Sequence, residues 1–199
     1  MHTPSSDEHG REIPTKIGET LLRSASSGKG NTEGKSRRMS KEKLAYIAGF
    51  LDGDGCVMLQ LVFRHDYVFG YQIRASIVFY QKTKHRQFLE WLKEELEVGY
   101  LRDRKDGMTE YTIVGPKPVA ELLILLKPFL RLKKDHAVVA LDVLSKLPHG
   151  RQITPAILLR LAKKVDRFTE LNYSKKRTNT SAVVHDFLVS KKLLESRRD

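Results

Sequence analysis

Two neighbouring stretches of the chain, Cys56–Phe63 and Phe69–Gln81, alternate side chains with a strict period of two. Successive residues of a strand point to opposite sides, so this pattern specifies extended backbone with one face buried. Val57, Leu59, Leu61 and Phe63 share one side of the first stretch, and Met58, Gln60, Val62 and Arg64 take the other. In the second, Phe69, Tyr71, Ile73, Ala75, Ile77 and Phe79 lie opposite Gln72, Arg74, Ser76, Val78 and Tyr80. What flanks this pair limits the fold further. Leu44, Ile47, Ala48 and Leu51 recur at helical spacing just upstream, and Gly53 and Gly55 end that helix. A second helix is expected over Lys84–Leu96, with Phe88, Trp91, Leu92 and Leu96 on one side. Two more strands follow near Val98–Arg104 and Glu110–Val114, turned by Lys105, Asp106 and Gly107. Helical segments near Pro118–Leu126, Lys134–Leu147, Pro155–Leu171 and Ser181–Leu194 complete the chain. Helix–strand–strand thus occurs twice. The pattern reads as an α+β domain, helices covering one sheet face and leaving the other polar.

The makeup of that polar face is informative. It presents Gln60, Arg64, Gln72, Arg74, Ser76, Tyr100, Arg102, Arg104, Glu110 and Thr112, with Tyr67 in the turn beside it. A merely solvated face mixes Lys with Glu, whereas Arg and Gln pair bidentately with guanine and adenine edges in a major groove. Overall charge agrees. Thirty-six Lys and Arg against 24 Asp and Glu give +12, an excess that points to a polyanionic partner. Residues 1–42 hold eight basic and six acidic side chains, so +10 falls on residues 43–199. Ser26–Arg38 is Gly, Ser and charge without periodicity, so residues 1–42 read as a flexible tail and 43–199 as the folded domain.

The single Cys56 excludes an intrachain disulfide framework and a Cys-rich zinc site. No apolar run approaches the roughly 20 residues that span a bilayer, and the N-terminus lacks the order of a secretory signal. An intracellular protein is expected, in a bacterial cytoplasm or an organelle, without membrane or small-molecule substrate.

The first helix ends in Asp52-Gly53-Asp54-Gly55. Carboxylates there oppose the helix dipole, which favours cations at that end. Two readings stand at this point. Asp-Gly is a common turn dipeptide; alternatively, an acid beside an open glycine carbonyl is half of a site for a hard divalent cation.

Taken as a unit, LAYIAGFLDGDG (Leu44–Gly55) resembles the signature helix of the LAGLIDADG homing endonucleases. The similarity continues through FYQKTKHRQFL (Phe79–Leu89), VGYLRDR (Val98–Arg104), LKPFLRLKK (Leu126–Lys134) and VDRFTELNYSKKRTNTS (Val165–Ser181), most of Leu44 to about Thr180. It is most similar to the single-motif branch found in introns of ribosomal RNA genes. The resemblance implies an αββαββα fold with additional C-terminal helices, and Mg2+- or Mn2+-dependent hydrolysis of both strands of a long, pseudo-palindromic DNA site. It implies Asp54 as metal ligand assisted by the Gly53 carbonyl, Gln81 as a water-ordering group and Lys133 near the scissile phosphate. His85 stands where relatives carry Arg in the same solvent network, which would make its charge depend on pH near neutrality. Lys175, Lys176 and Arg177 are expected at phosphates rather than bases.

Only one signature helix is present, so the resemblance implies a homodimer whose paired helices meet through Ala45, Ala48 and Gly49. Rival readings are an RNA maturase on the same fold, a non-catalytic DNA-binding protein, and a basic scaffold. Intact Asp54, Gln81 and Lys133 favour cleavage.

Overall fold

The computed structural model describes residues 39–148, 152–171 and 177–194. Helix α1 spans Lys41–Asp54 and opens on Ser40, whose hydroxyl accepts the Lys43 amide at 3.3 Å. Strand β1 (Gly55–Phe63) follows without a loop, and β2 (Tyr71–Lys82) returns antiparallel to it. A single 3-10 turn, Thr83–His85, leads into α2 (Arg86–Leu96), then β3 (Tyr100–Asp103) and β4 (Met108–Val114). Helices α3 (Pro116–Leu126), α4 (Lys134–Ser145), α5 (Pro155–Leu171) and α6 (Ser181–Ser190) follow. This is the expected αββαββα order with additional C-terminal helices. Among the described residues no helix is long and apolar enough to cross a membrane.

The sheet order is β1-β2-β4-β3, so the two hairpins join through their second strands and β1 and β3 form the edges. All three pairings are antiparallel. The odd-numbered side of β1 and β2 is apolar and buried: Val57, Leu59, Ile73, Ala75, Ile77 and Phe79 meet Ile47, Ala48 and Leu51 of α1 in one core. Partners of strand β4 reach only from Ser76 to Lys82 of β2. Beyond Ser76 the β1–β2 hairpin continues as a two-stranded ribbon.

Elements are shorter than the periodicity predicts where the backbone turns. β2 opens at Tyr71 because Phe69 and Gly70 belong to the turn: Gly70 has φ +67°, its amide donates to the Tyr67 carbonyl at 2.9 Å, and its carbonyl accepts from Arg64 at 2.8 Å. β3 begins only at Tyr100, since Glu97 is left-handed (φ 54°) and closes α2. The last helix stops at Ser190 instead of Leu194.

The outer edge of β1 is covered by the segment before α6. The Arg177 guanidinium donates to the carbonyls of Leu59 and Val165, and the Asn179 amide to the Leu61 carbonyl at 3.0 Å. Unpaired strand edges are templates for unwanted pairing; here side chains occupy the free acceptors. Burial pulls the Arg177 pKa down. Two Arg177 N–H groups are thus used inside the fold and the residue is half-buried, which sets it apart from a freely exposed phosphate ligand.

Candidate functional site

Asp52 and Asp54 end the same helix and have opposite surroundings. Asp52 is only 9% exposed, and its carboxylate accepts the Arg131 amide at 2.6 Å and the Lys133 amide at 2.9 Å. Lys133 returns the contact, its Nζ donating to the Asp52 carbonyl at 2.6 Å. A helix C-terminus leaves carbonyls without partners and carries partial negative charge, and this ammonium answers both. Asp54 is exposed, and the Gln81 amide donates to its Oδ2 at 3.2 Å. Gln81 reaches it because it keeps the parity of Phe79, which stacks on Phe50 of α1 at 5.7 Å. Two residues further on, the same face emerges from the core beside the helix end.

Asp54, Gln81, Lys133 and the exposed Gly53 are thus gathered at one end of α1. His85 is not tied to them. It lies exposed in the 3-10 turn, without a hydrogen bond or ion pair among the described residues. Asp52 had no role in the sequence reading, although a signal existed: it follows buried Ala48 by four residues and so falls on the core side of the helix.

The polar face of the sheet divides by strand position. Ser76, Glu110 and Thr112 sit on the two central strands and are 3%, 7% and 5% exposed. They are the most buried members of the expected face and form its floor. Glu110 serves its neighbours: Arg102 Nε donates to it at 2.7 Å across the β3–β4 pair, and Arg104 lies 4.0 Å from its other oxygen. Arg104 also pairs with Asp106 at 2.7 Å. At the hairpin tip Arg64 grips Asp66 with two bonds of 2.9 and 2.8 Å and lies 5.6 Å from the Tyr67 ring centre. Its hydrogen bonds hold the Asp66 carboxyl below its ordinary pKa. Each of these guanidiniums retains free N–H groups, because a carboxylate pair uses at most two of five. Arg74 is unpaired among the described residues, beside Gln60 in the register and beyond the reach of β4. Gln60, Gln72, Arg74, Arg102, Arg104 and Tyr100 remain as exposed or half-buried groups on one surface.

Residues 47–136 match the family model described as LAGLIDADG endonuclease. DNA endonuclease I-CreI of Chlamydomonas reinhardtii is 37% identical over 153 residues, covering 77% of this chain and 93% of that protein. The chain belongs to the LAGLIDADG endonuclease family. DNA endonuclease I-CvuI of Chlorella vulgaris is likewise 37% identical over 146 residues, covering 73% of this chain and 89% of its own length. The structure of I-CvuI with DNA and 2 mM Mg superposes with a TM-score of 0.71, covering 76% of this chain and 94% of that one. Another I-CvuI–DNA structure was solved with 2 mM Ca, so divalent cations accompany this relative's complexes. The archaeal intron-encoded I-Vdi141I in complex with DNA has a TM-score of 0.67 at 22% identity and shares the fold.

In this LAGLIDADG protein the exposed side of α1 is narrow and bare. Ala45, Gly49 and Gly53 are exposed, and a Cβ added at Gly49 or Gly53 would meet nothing within 4 Å. Ala48 is fully buried in the core of its own chain, which removes it from the expected helix-pairing contacts. The bare strip is flanked by an aromatic patch that sequence reasoning did not assign. Tyr46, 57% exposed, lies 6.1 Å from both Phe88 and Trp91 of α2. Leu132 is 76% exposed, one residue from Lys133. Lys175 and Lys176 lie outside the described residues.

Proposed function

We infer that the chain is a site-specific double-strand DNA endonuclease, acting as a homodimer on a long, roughly palindromic site with Mg2+ or Mn2+. The observation that carries this reading is Asp54: an exposed acid, fixed by Gln81, at the end of a helix whose exposed strip runs through Ala45, Gly49 and Gly53. Among the described residues no three His, Cys, Asp or Glu side chains gather into a metal site. In this reading one chain supplies half of a site. Two helices meeting along Ala45, Gly49 and Gly53 would supply two carboxylates, as two-fold symmetry requires.

The donor set fits a hard divalent cation. Asp54 offers carboxylate oxygen, and the adjoining Gly53 carries no side chain to obstruct approach. Such a cation, when bound, neutralises phosphate charge and lowers the pKa of water. The chain's own groups do the rest. Gln81 fixes the orientation of Asp54 and offers its amide oxygen to a water molecule. Lys133, held at the helix end by the Asp52 carbonyl, places a cation where negative charge grows on the phosphate.

Strand β1 leads away from this end for nine residues, about 30 Å at strand rise. That length matches roughly nine base-pair steps along a groove. Arg102 and Arg104 on the β3–β4 pair and Arg74, Gln72 and Gln60 on the ribbon would then read separate parts of each half-site. The site of action is an organelle or a bacterial cytoplasm.

The test is cleavage of a randomised duplex library with Mg2+, followed by sequencing of the cut ends. Recovered sites should show two related halves, both strands cut, and no product when EDTA is present. Cut sites without two-fold relation, or cleavage undiminished by the chelator, would overturn the reading.

A further inference from the structure

We propose that Phe187, on α6, is a specificity-positioning residue: it holds the tip of the β1–β2 hairpin and so sets the alignment of Arg64, Tyr67 and Gln72 on the outer base pairs of each half-site. The inference rests on the endonuclease reading. Its physical ground is that the ribbon beyond Ser76 has no third strand, and an isolated two-stranded hairpin is marginal in water. Something outside the sheet must hold it.

Phe63 and Tyr71 form the last pair of the ladder, and both side chains point to the helix side. Phe187 closes on them, its ring centre 5.7 Å from Phe63 and 5.5 Å from Tyr71, edge-on to both at 77° and 82°. Phe63 and Tyr71 themselves lie 5.2 Å apart. The contact depends on Gly70: a Cβ there would fall 2.4 Å from two carbons of the Phe187 ring, and φ is +67°. Such three-way edge-to-face packing fixes orientation as well as burying area.

The helix that carries Phe187 is itself secured. Val184 and Leu188 are fully buried, the Ser181 amide donates to Asp166 at 2.9 Å, and Thr180 caps the first turn. Arg177 and Asn179 bind the outer edge of the same ribbon further back. Phe63 precedes Arg64 and Tyr71 precedes Gln72, with side chains on opposite faces. A tilt of the two rings therefore displaces the neighbouring polar groups on the DNA side.

The experiment compares base-preference profiles from the cleaved library for the parent, Phe187→Ala, Phe187→Leu and Gln72→Ala, each with kcat, KM and melting temperature. For Phe187→Ala the preference at outer positions should fall toward none, from discrimination on the order of tenfold per base pair. Inner positions and kcat should stay unchanged while KM rises. Phe187→Leu should recover part of the outer preference. A parent-like profile for both Phe187 variants, with Gln72→Ala altered, overturns the clamp and leaves the endonuclease reading standing. Equal flattening of inner and outer positions with a lower kcat also overturns it, because that marks general loss of structure. A parent that selects no sequence overturns both.

Discussion

The two ends of the β1–β2 hairpin are held by different forces. At the base, Asp52 takes two backbone amides, Lys133 answers the helix carbonyl and Gln81 holds Asp54. At the tip, three aromatic rings and a glycine carry the contact. Hydrogen bonds to carboxylates are directional, and a misplaced donor leaves a buried charge uncompensated. Ring packing is broader in its tolerance. A reactive centre needs the first kind of support, whereas a recognition surface can change its contacts around the second kind. The difference teaches that cleavage and outer-base recognition should be separable by mutation.

The largest effect should come from Asp54→Asn. Cleavage should fall on the order of 10^3-fold or more, while DNA affinity in Ca2+ and the outer-base profile remain those of the parent. A changed outer profile would break the separation of the two ends. Next in size is Gly49→Arg. Inside one chain the new side chain meets open space, and replacing a helical glycine should raise chain stability by up to about 1 kcal/mol. A partner helix could no longer approach. Sedimentation should show a monomer, with cleavage reduced on the order of 100-fold; a stable, active dimer would exclude helix pairing along this strip.

Asp52→Asn probes the base end alone. One of the two amides from Arg131 and Lys133 would then face an N–H, at a cost of about 1–3 kcal/mol. Urea denaturation should report this loss, and cleavage should drop as the backbone amide of Lys133 loses its carboxylate acceptor. By contrast, Phe63→Leu at the tip should alter outer-base preference and leave kcat alone. Equal effects of the two on kcat would show that the ends are one cooperative unit.

What the sequence made legible follows the same division. Period two separated the helix side of β1 and β2 from the polar side, because every residue of a strand obeys it. The parity of Phe79 also carries Gln81 to the helix side, and Ala48 plus four residues carries Asp52 into the core. Contacts that depend on strand order were not legible. Nothing local marks β1 as an edge, so Arg177 read as a phosphate ligand when its donors fill β1 and α5 carbonyls. Ser76, Glu110 and Thr112 read as exposed because alternation gives the face and not the depth, which the central positions of β2 and β4 determine. Phe187 meets residues more than a hundred positions away, and one aromatic residue on an apolar helix carries no sign of that distance. His85 has the opposite history: the resemblance assigned it a part, and the fold ties it to no catalytic group.

The smallest effect concerns how dry the base end is. Tyr111 is fully buried under it, stacked at 5.9 Å on Phe79, with its hydroxyl donating to the Val98 carbonyl. Burial pushes its pKa well above the ordinary phenol value. The folded protein therefore keeps this proton at a pH where the unfolded chain releases it. Stability from this source is fully present below about pH 10, the unfolded value, and declines as pH rises above it. Tyr111→Phe should cost about 0.5–1.5 kcal/mol at pH 7 through the lost hydrogen bond. Between pH 10 and 11 that deficit should shrink, since phenylalanine has no proton to lose. Lysines titrate in the same range, so the quantity to follow is the difference in urea midpoint between the two proteins. A difference that stays constant from pH 9 to 11 would mean that water reaches the phenol, and the base end could not then be counted as the drier of the two.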